Sequence, residues 1–251
     1  MPRQLLRRWA QYAMSRLLTS CPLCDLPARG GQCCVPCAED LWLAPGQSGR
    51  CRQCLATVPH AIDHCEICST QPADFMATIA GMAYAFPGDM LIQDFKALGR
   101  LDHGPALASL VTRSLHAQLA QRDWPDVLIP VPSSRSALKK RGFNPAAELA
   151  WQLSRQLGIP VMHGGLVCQA DHPPQKTLDL RQRMAQVRGR YACNRSLRSL
   201  RVGLVDDVMT TGSTLREISR VLMGRDAASV ILLVAARTPM TLPDLAKSRH
   251  V

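Results

Sequence analysis

Four Cys-x2-Cys pairs crowd the first 70 residues of this chain: Cys21 with Cys24, Cys34 with Cys37, Cys51 with Cys54, and Cys65 with Cys68. A turn of this spacing aims two thiolates at one point. A second turn completes a tetrahedron, the donor set that Zn²⁺ selects. Eight sulfurs provide for one or two structural zinc ions. Disulfides are the competing use of these residues, but Arg3, Arg7, Arg8 and Arg16 interrupt the opening stretch where a secretory h-region would be uninterrupted, so a reducing compartment that disfavours disulfides is expected. Pairing consecutive knuckles closes shorter loops than cross-braced pairing and is the expected arrangement, although both use the same eight residues. Cys33, beside Cys34, can substitute for it, and His60 and His64 read as surface residues. So short a segment takes most of its folding free energy from the metal, and a closed four-thiolate site leaves no open position for catalysis.

Nine of the eleven cysteines precede residue 70, so composition itself draws a boundary between Thr70 and Asp74. With 251 residues, 47% of them hydrophobic, the chain can bury one ordinary core beside a small metal-stabilised unit. Three segments are expected: a basic amphipathic helix over 1–20, a Cys-rich zinc module over 21–70, and an α/β domain over 74–240. In the first, Leu5, Leu6, Trp9, Tyr12 and Ala13 have helical spacing, with Arg3, Arg7, Arg8 and Arg16 interleaved. Such a helix can lie on a membrane surface, but docking on the following domain is expected. With no run of eighteen apolar residues, the protein is expected to be cytoplasmic and not integral to a membrane.

The net charge of +11 is concentrated. Residues 131–201 hold 13 Lys and Arg against 3 Asp and Glu, so this one stretch accounts for nearly the whole excess. A basic block confined to part of a folded domain suits a polyanion, either a pyrophosphate or a nucleic-acid backbone; a merely solvated basic face is the alternative.

After Asp74, strand and helix signals alternate. Strands are expected at 79–86, 126–131, 160–167, 202–205 and 230–234, and helices at 90–98, 105–120, 144–157 and 213–223. Asn144 followed by Pro145 is a well-formed helix start, and Gly158 a stop. This alternation implies a parallel sheet with ligands at the carboxyl ends of its strands.

The most informative stretch is RVGLVDDVMTTGSTL, residues 201–215. An apolar strand runs into two adjacent carboxylates and then a Thr/Gly/Ser/Thr turn that opens a helix. Thr210, Thr211, Gly212, Ser213 and Thr214 offer hydroxyls and closely approachable N–H groups where a helix dipole favours phosphate. Asp206 and Asp207 can accept hydrogen bonds from ribose hydroxyls and help to hold a hydrated Mg²⁺. Two adjacent carboxylates repel unless a cation or donors lie nearby.

The run from Val202 to Thr214 resembles the phosphoribosyl pyrophosphate motif of type I phosphoribosyltransferases. Within that superfamily, the chain resembles the ComF/GntX family over almost its entire length, in the right order. After the knuckles come LIQDFKALG at 91–99, around Lys96; IPVPSSRSALKKRGFNPAAEL at 129–149, close to the family's PVP…RGFN signature; and PQKTLDLRQRMAQVRGRY at 174–191. Gln186 stands where the family usually has Asn, and Pro145 where Gln is common.

The resemblance implies a type I phosphoribosyltransferase-like parallel sheet with helices on both faces, preceded by the four-cysteine zinc-binding module. It implies that Lys96, Val131, Pro132, Asp206, Asp207 and Thr210 to Thr214 bind phosphoribosyl pyrophosphate with Mg²⁺, the two carboxylates being catalytic if turnover occurs. Arg135, Lys139, Lys140, Arg141, Gln175, Arg181, Arg183 and Arg188 are expected to meet pyrophosphate or a nucleic-acid strand. Phe143 is read as a core anchor or a base-stacking residue. The implied function is in natural transformation and the use of external DNA, with single-stranded DNA as a ligand and DNA-uptake or recombination proteins as partners. A conventional transferase acting on a small nucleobase-like acceptor is the alternative, although no aromatic, base-reading hood is evident in a chain only 4% aromatic. Cys51→Ser is expected to cost metal and stability without touching the phosphate loop directly.

Overall fold

The computed structural model describes residues 16–169 and 189–239. Most of the expected N-terminal helix, and Gln175, Arg181, Arg183 and Arg188, lie outside these residues. At the end of the 1–20 segment, Leu18–Ser20 is a strand, β1, where a helix was expected. It pairs antiparallel with β2, Pro27–Arg29. The Cys21 N–H donates to the Leu26 carbonyl at 2.8 Å, so the first knuckle is the turn of this hairpin. Two short helices follow, α1 (Val35–Leu41) and α2 (Glu66–Thr70), each entered directly from a knuckle cysteine, Cys34 or Cys65.

The central sheet contains β3 (Ala77–Ala83), β4 (Val127–Pro130), β7 (Arg201–Met209) and β8 (Ser229–Arg237), all parallel, in the order β3-β8-β7-β4. Because side chains alternate across a strand, odd-numbered Ile79, Val205, Ile231 and Leu233 face one way with even-numbered Leu128. That face packs against α3 (Gly88–Ala97), α4 (Gly104–Gln118) and α6 (Pro145–Leu157). Ala80, Val127, Ile129, Val202, Leu204, Leu232 and Val234 face the other way, toward α7 (Ser213–Met223). Helices thus cover both faces. Cys21 and Cys34 belong to the first apolar cluster, and Cys51, Cys54, Cys65 and Cys68 to the second, so each cysteine set closes a different face of the sheet.

The chain between the two sets covers an edge. Residue Trp42 bridges Met82, the Leu43 N–H donates to the Gly81 carbonyl at 3.1 Å, and the Trp42 indole donates to Ser114 at 2.9 Å. Unpaired strand groups on β3 are thereby satisfied, as an edge requires.

Helix α6 begins as its residues dictate: the Asn144 side chain accepts from the Ala146 N–H, Pro145 follows, and Gly158 ends the helix at φ +74°. The strand expected over 160–167 does not form. Around Val161 the backbone only touches β4, and Leu166–Cys168 (β5) turns away to pair antiparallel with β6, Tyr191–Cys193. Gly164, at φ +68°, and Gly165 interrupt the run. A short basic helix that the sequence pattern did not disclose, α5 (Arg135–Arg141), is capped by Ser134.

Candidate phosphate and metal sites

Four parallel strands bring their carboxyl ends to one edge, and every described part of the expected phosphate site lies there. Strand β7 continues further than expected, so Asp206 and Asp207 sit within it, and Thr210 to Gly212 form the turn into α7. The turn requires glycine at 212, where φ is +77° and an added Cβ would strike the Met209 methyl. Thr211 and Ser213 share a hydroxyl contact of 3.0 Å. Together with Asp206, Thr210 and Thr214 they line a hollow of about 50 Å³ whose floor includes the start of α7.

The strand pleat separates the two carboxylates. Asp206 lines the hollow, whereas Asp207 meets Lys96 of α3, with Nζ 2.7 Å from Oδ2. Burial, followed by the neighbouring Asp207 charge, holds the Asp206 carboxyl well above the usual carboxylate range, and Lys96 offsets this only in part. Asp206 is half-buried at the hollow's edge, and a carboxyl crowded by another favours an added cation or hydroxyl donors, which fits Mg²⁺ with a sugar ligand. Helix α3 reaches further still: Phe95 packs edge-on against Phe143, with ring centroids 6.1 Å apart. Phe143 therefore packs as an anchor, tying the RGFN segment to the helix that carries Lys96.

The second wall is the turn after β4, the strand beside β7. The Val131 N–H donates to the Val205 carbonyl at 2.9 Å, continuing the ladder. Asn144 then holds the turn: its Nδ2 donates to the Val131 carbonyl at 2.9 Å, and its Oδ1 accepts from Ser133 at 3.0 Å and from the Ala146 N–H at 3.1 Å. Sequence reasoning saw Asn144 only as a cap. Pro132 follows in this turn, and Arg135, Lys139 and Lys140 are exposed on α5, with Arg141 half-buried.

The cysteines gather in two sets, Cys21, Cys24, Cys34 and Cys37, and Cys51, Cys54, Cys65 and Cys68, with all sulfurs of a set within 4.8 Å of one another. This is the consecutive arrangement. Tetrahedral zinc with Zn–S bonds of about 2.3 Å places sulfurs about 3.8 Å apart. Cys24 lies 3.6 Å from Cys34 and 3.5 Å from Cys37, and Cys54 lies 3.6 Å from Cys65. Spacing and donor type fit zinc in both sets. Cys33 stands outside the set, its thiol pushed up to about 12 by burial. His60 and His64 are exposed.

Two arginines that no motif disclosed join the second set to the phosphate turn. Arg237 donates to the Cys54, Met209 and Thr210 carbonyls, and Arg216 donates to Cys68 Sγ at 2.8 Å. The expectation that Cys51→Ser leaves the turn untouched is thus at odds with the packing: the third knuckle and the turn share a guanidinium. Among the described residues, no helix is long and apolar enough to cross a membrane.

A parallel sheet with a strand–Asp–Asp–turn–helix at its carboxyl edge, attached to two four-cysteine sets, defines the class of the protein: a phosphoribosyltransferase-like α/β fold with cysteine knuckles spaced to hold a metal. The chain belongs to the ComF/GntX family. It is 32% identical over 178 residues to Competence protein F of Haemophilus influenzae, covering 68% of this chain and 77% of the relative. It is 28% identical over 222 residues to DNA utilization protein YhgH of Escherichia coli (strain K12), covering 87% of this chain and 96% of that one. No family model matches the chain. Among solved structures, a purine phosphoribosyltransferase from Pyrococcus horikoshii overlaps 54% of this chain and 73% of its own, at 23% identity and a TM-score of 0.33. An allosteric regulatory enzyme of purine biosynthesis overlaps 57% of this chain at 20% identity and a TM-score of 0.37, with 30% of its own length spanned.

Proposed function

We propose that this protein binds phosphoribosyl pyrophosphate with Mg²⁺ at the carboxyl edge of its sheet, binds single-stranded DNA along its basic segment, and acts in the uptake or use of external DNA. The observation that carries the first part is the Asp206–Asp207 pair with Lys96 at 2.7 Å, directly before a Gly212-dependent turn into α7. On this reading the hydroxyls and N–H groups of Thr210 to Thr214 hold a phosphate. Asp206 accepts from ribose hydroxyls, and in the turn after β4 the Ser133 N–H is offered to pyrophosphate, the Val131 N–H being spent on the Val205 carbonyl and Pro132 having none. Bound Mg²⁺ would add positive charge beside the pyrophosphate, stabilising it as a leaving group if turnover occurs. Lys96 holds Asp207 in place and offers a further positive charge at the same edge.

The second part is supported by the basic excess in 131–201, by exposed Arg135, Lys139 and Lys140 beside the site, and by relatives named for competence and DNA utilization. Zinc in the two cysteine sets serves structure. Proteins of DNA uptake or recombination are the partners this role calls for, and the cytoplasm is where it would be exercised.

Titration calorimetry of the zinc-loaded protein with phosphoribosyl pyrophosphate and Mg²⁺, repeated with a single-stranded oligonucleotide already bound, tests both parts. Simultaneous binding is the expected result. Mutual exclusion would mean that the basic segment serves one polyanion at a time, and absence of sugar-phosphate binding would reject the ligand assignment.

A further inference from the structure

Arg237 is the last residue of β8 and is fully buried. Its Nε donates to the Cys54 carbonyl at 2.8 Å. Its Nη1 donates to the Met209 carbonyl at 3.1 Å, to that of Thr210, and to that of Thr238 at 2.8 Å. One guanidinium therefore spans the backbone of the third knuckle and the first residues of the phosphate turn. Arg216 makes a second bridge from α7. Its Nη2 donates to Cys68 Sγ at 2.8 Å, its Nη1 donates to the Gln71 carbonyl at 3.1 Å, and its guanidinium lies 5.5 Å from the Phe75 ring. The backbone N–H of the same residue donates to the Gly212 carbonyl at 2.9 Å, so Arg216 also closes the helix onto the turn.

A guanidinium is stable in a protein interior only where its donors are matched and its charge is countered. The Cys54, Met209, Thr210 and Thr238 carbonyls match the donors of Arg237. Zinc held by Cys51, Cys54, Cys65 and Cys68 would fix the third knuckle, and with it the Cys54 carbonyl, in place. A set that loses its metal loses the knuckle geometry that places the Cys54 carbonyl, and the guanidinium that anchors the Met209 and Thr210 carbonyls loses its seat. The first set packs on the opposite face of the sheet, with α3 and α4.

We propose that the second four-cysteine set, acting through Arg237 and Arg216, is the foundation of the phosphate turn, so that ligand affinity at residues 210–214 follows metal occupancy of this set rather than of the first. The two arginines are positioning residues, and the proposal rests on the reading of that turn as the sugar-phosphate site.

The test uses the full chain and the variants Arg237→Met, Arg237→Lys, Cys68→Ser and Cys24→Ser. Each is assayed for zinc content, hydrogen exchange of the amides over 209–214, and affinity for phosphoribosyl pyrophosphate with Mg²⁺. Arg237→Met is expected to keep its zinc, while turn amides exchange at least about tenfold faster and affinity falls by a similar factor, as loss of charge-assisted hydrogen bonds implies. Arg237→Lys should recover part of both. Cys68→Ser should lose metal and loosen the turn, whereas Cys24→Ser should lose metal and leave turn exchange at the parental rate. Parental exchange in Arg237→Met, or equal loosening by both cysteine variants, would overturn the proposal. If Arg237→Met fails to fold, the two cysteine variants decide the question. A parent chain that does not bind the sugar-phosphate would remove the ligand reading, leaving exchange and zinc content to judge the coupling.

Discussion

At the scale of single residues, Asp206 shows how a proposed ligand-binding carboxyl is held at a cost to the fold. Its carboxyl is kept above the usual range by burial and by Asp207, so the native state binds this proton more tightly than the unfolded chain does. Stability from this group is therefore fully present below the ordinary Asp range and is lost as pH rises through the raised native value. Asp206→Asn has no charge to bury. It is expected to be more stable than the parent at neutral pH in the absence of ligand, with the advantage shrinking toward acid, measured by urea midpoints across pH at constant zinc. The double variant Asp206→Asn with Asp207→Asn should retain the fold and lose detectable binding of phosphoribosyl pyrophosphate with Mg²⁺ in calorimetry. Unchanged affinity would remove the two carboxylates from the site. The position of both carboxylates, at the end of a strand and before a glycine turn into a helix, was legible in the sequence because the residues are adjacent and act locally. Arg237 was not legible, because its partner Cys54 is 183 positions away and no local pattern marks an arginine that ends a buried strand.

At the scale of elements, α6 is both a structural start and a clamp on the turn after β4, and one side chain performs both tasks through different atoms. Asn144 Oδ1 caps the helix, and Nδ2 holds the Val131 carbonyl. The two can be separated. Asn144→Ala removes both and should cost about 1 kcal/mol, the usual worth of an N-cap, along with ligand affinity. Asn144→Asp keeps the capping oxygen but sets a carboxylate oxygen against the Val131 carbonyl in place of the N–H donor, so it should keep the helix start, lose some stability at the turn, and bind the sugar-phosphate more weakly. Thermal unfolding and calorimetry on the same samples separate these effects, and parental affinity in Asn144→Asp would show that the clamp is dispensable. The helix itself was readable from Asn-Pro at one end and Gly158 at the other, since those residues act locally. The strand expected at 160–167 was misread because its apolar residues suggested continuity, whereas Gly164 and Gly165 let the chain leave the sheet.

At the scale of the whole molecule, the sheet is covered on each face by helices together with one cysteine set, and a basic helix follows the turn at the carboxyl end of β4. Composition disclosed the existence of both units, but which set closes which face depends on the β1–β2 hairpin and on Trp42 crossing the β3 edge, contacts that knuckle spacing does not encode. The charge distribution supports a quantitative test of the nucleic-acid reading. Binding to a single strand releases counterions, and log affinity falls with log salt at a slope of about −0.7 for each phosphate neutralised. Lys139, Lys140 and Arg141 form the last turn of α5 and follow directly from the turn that faces β7. If all three meet the strand, changing them together to Ala should flatten the slope for an oligonucleotide by about 2. A slope unchanged in fluorescence-anisotropy titrations across a salt series would place the DNA path elsewhere. A loss of affinity with an unchanged slope would indicate damage to the fold of α5 and not the removal of phosphate contacts, because only lost ion pairs change the number of counterions released.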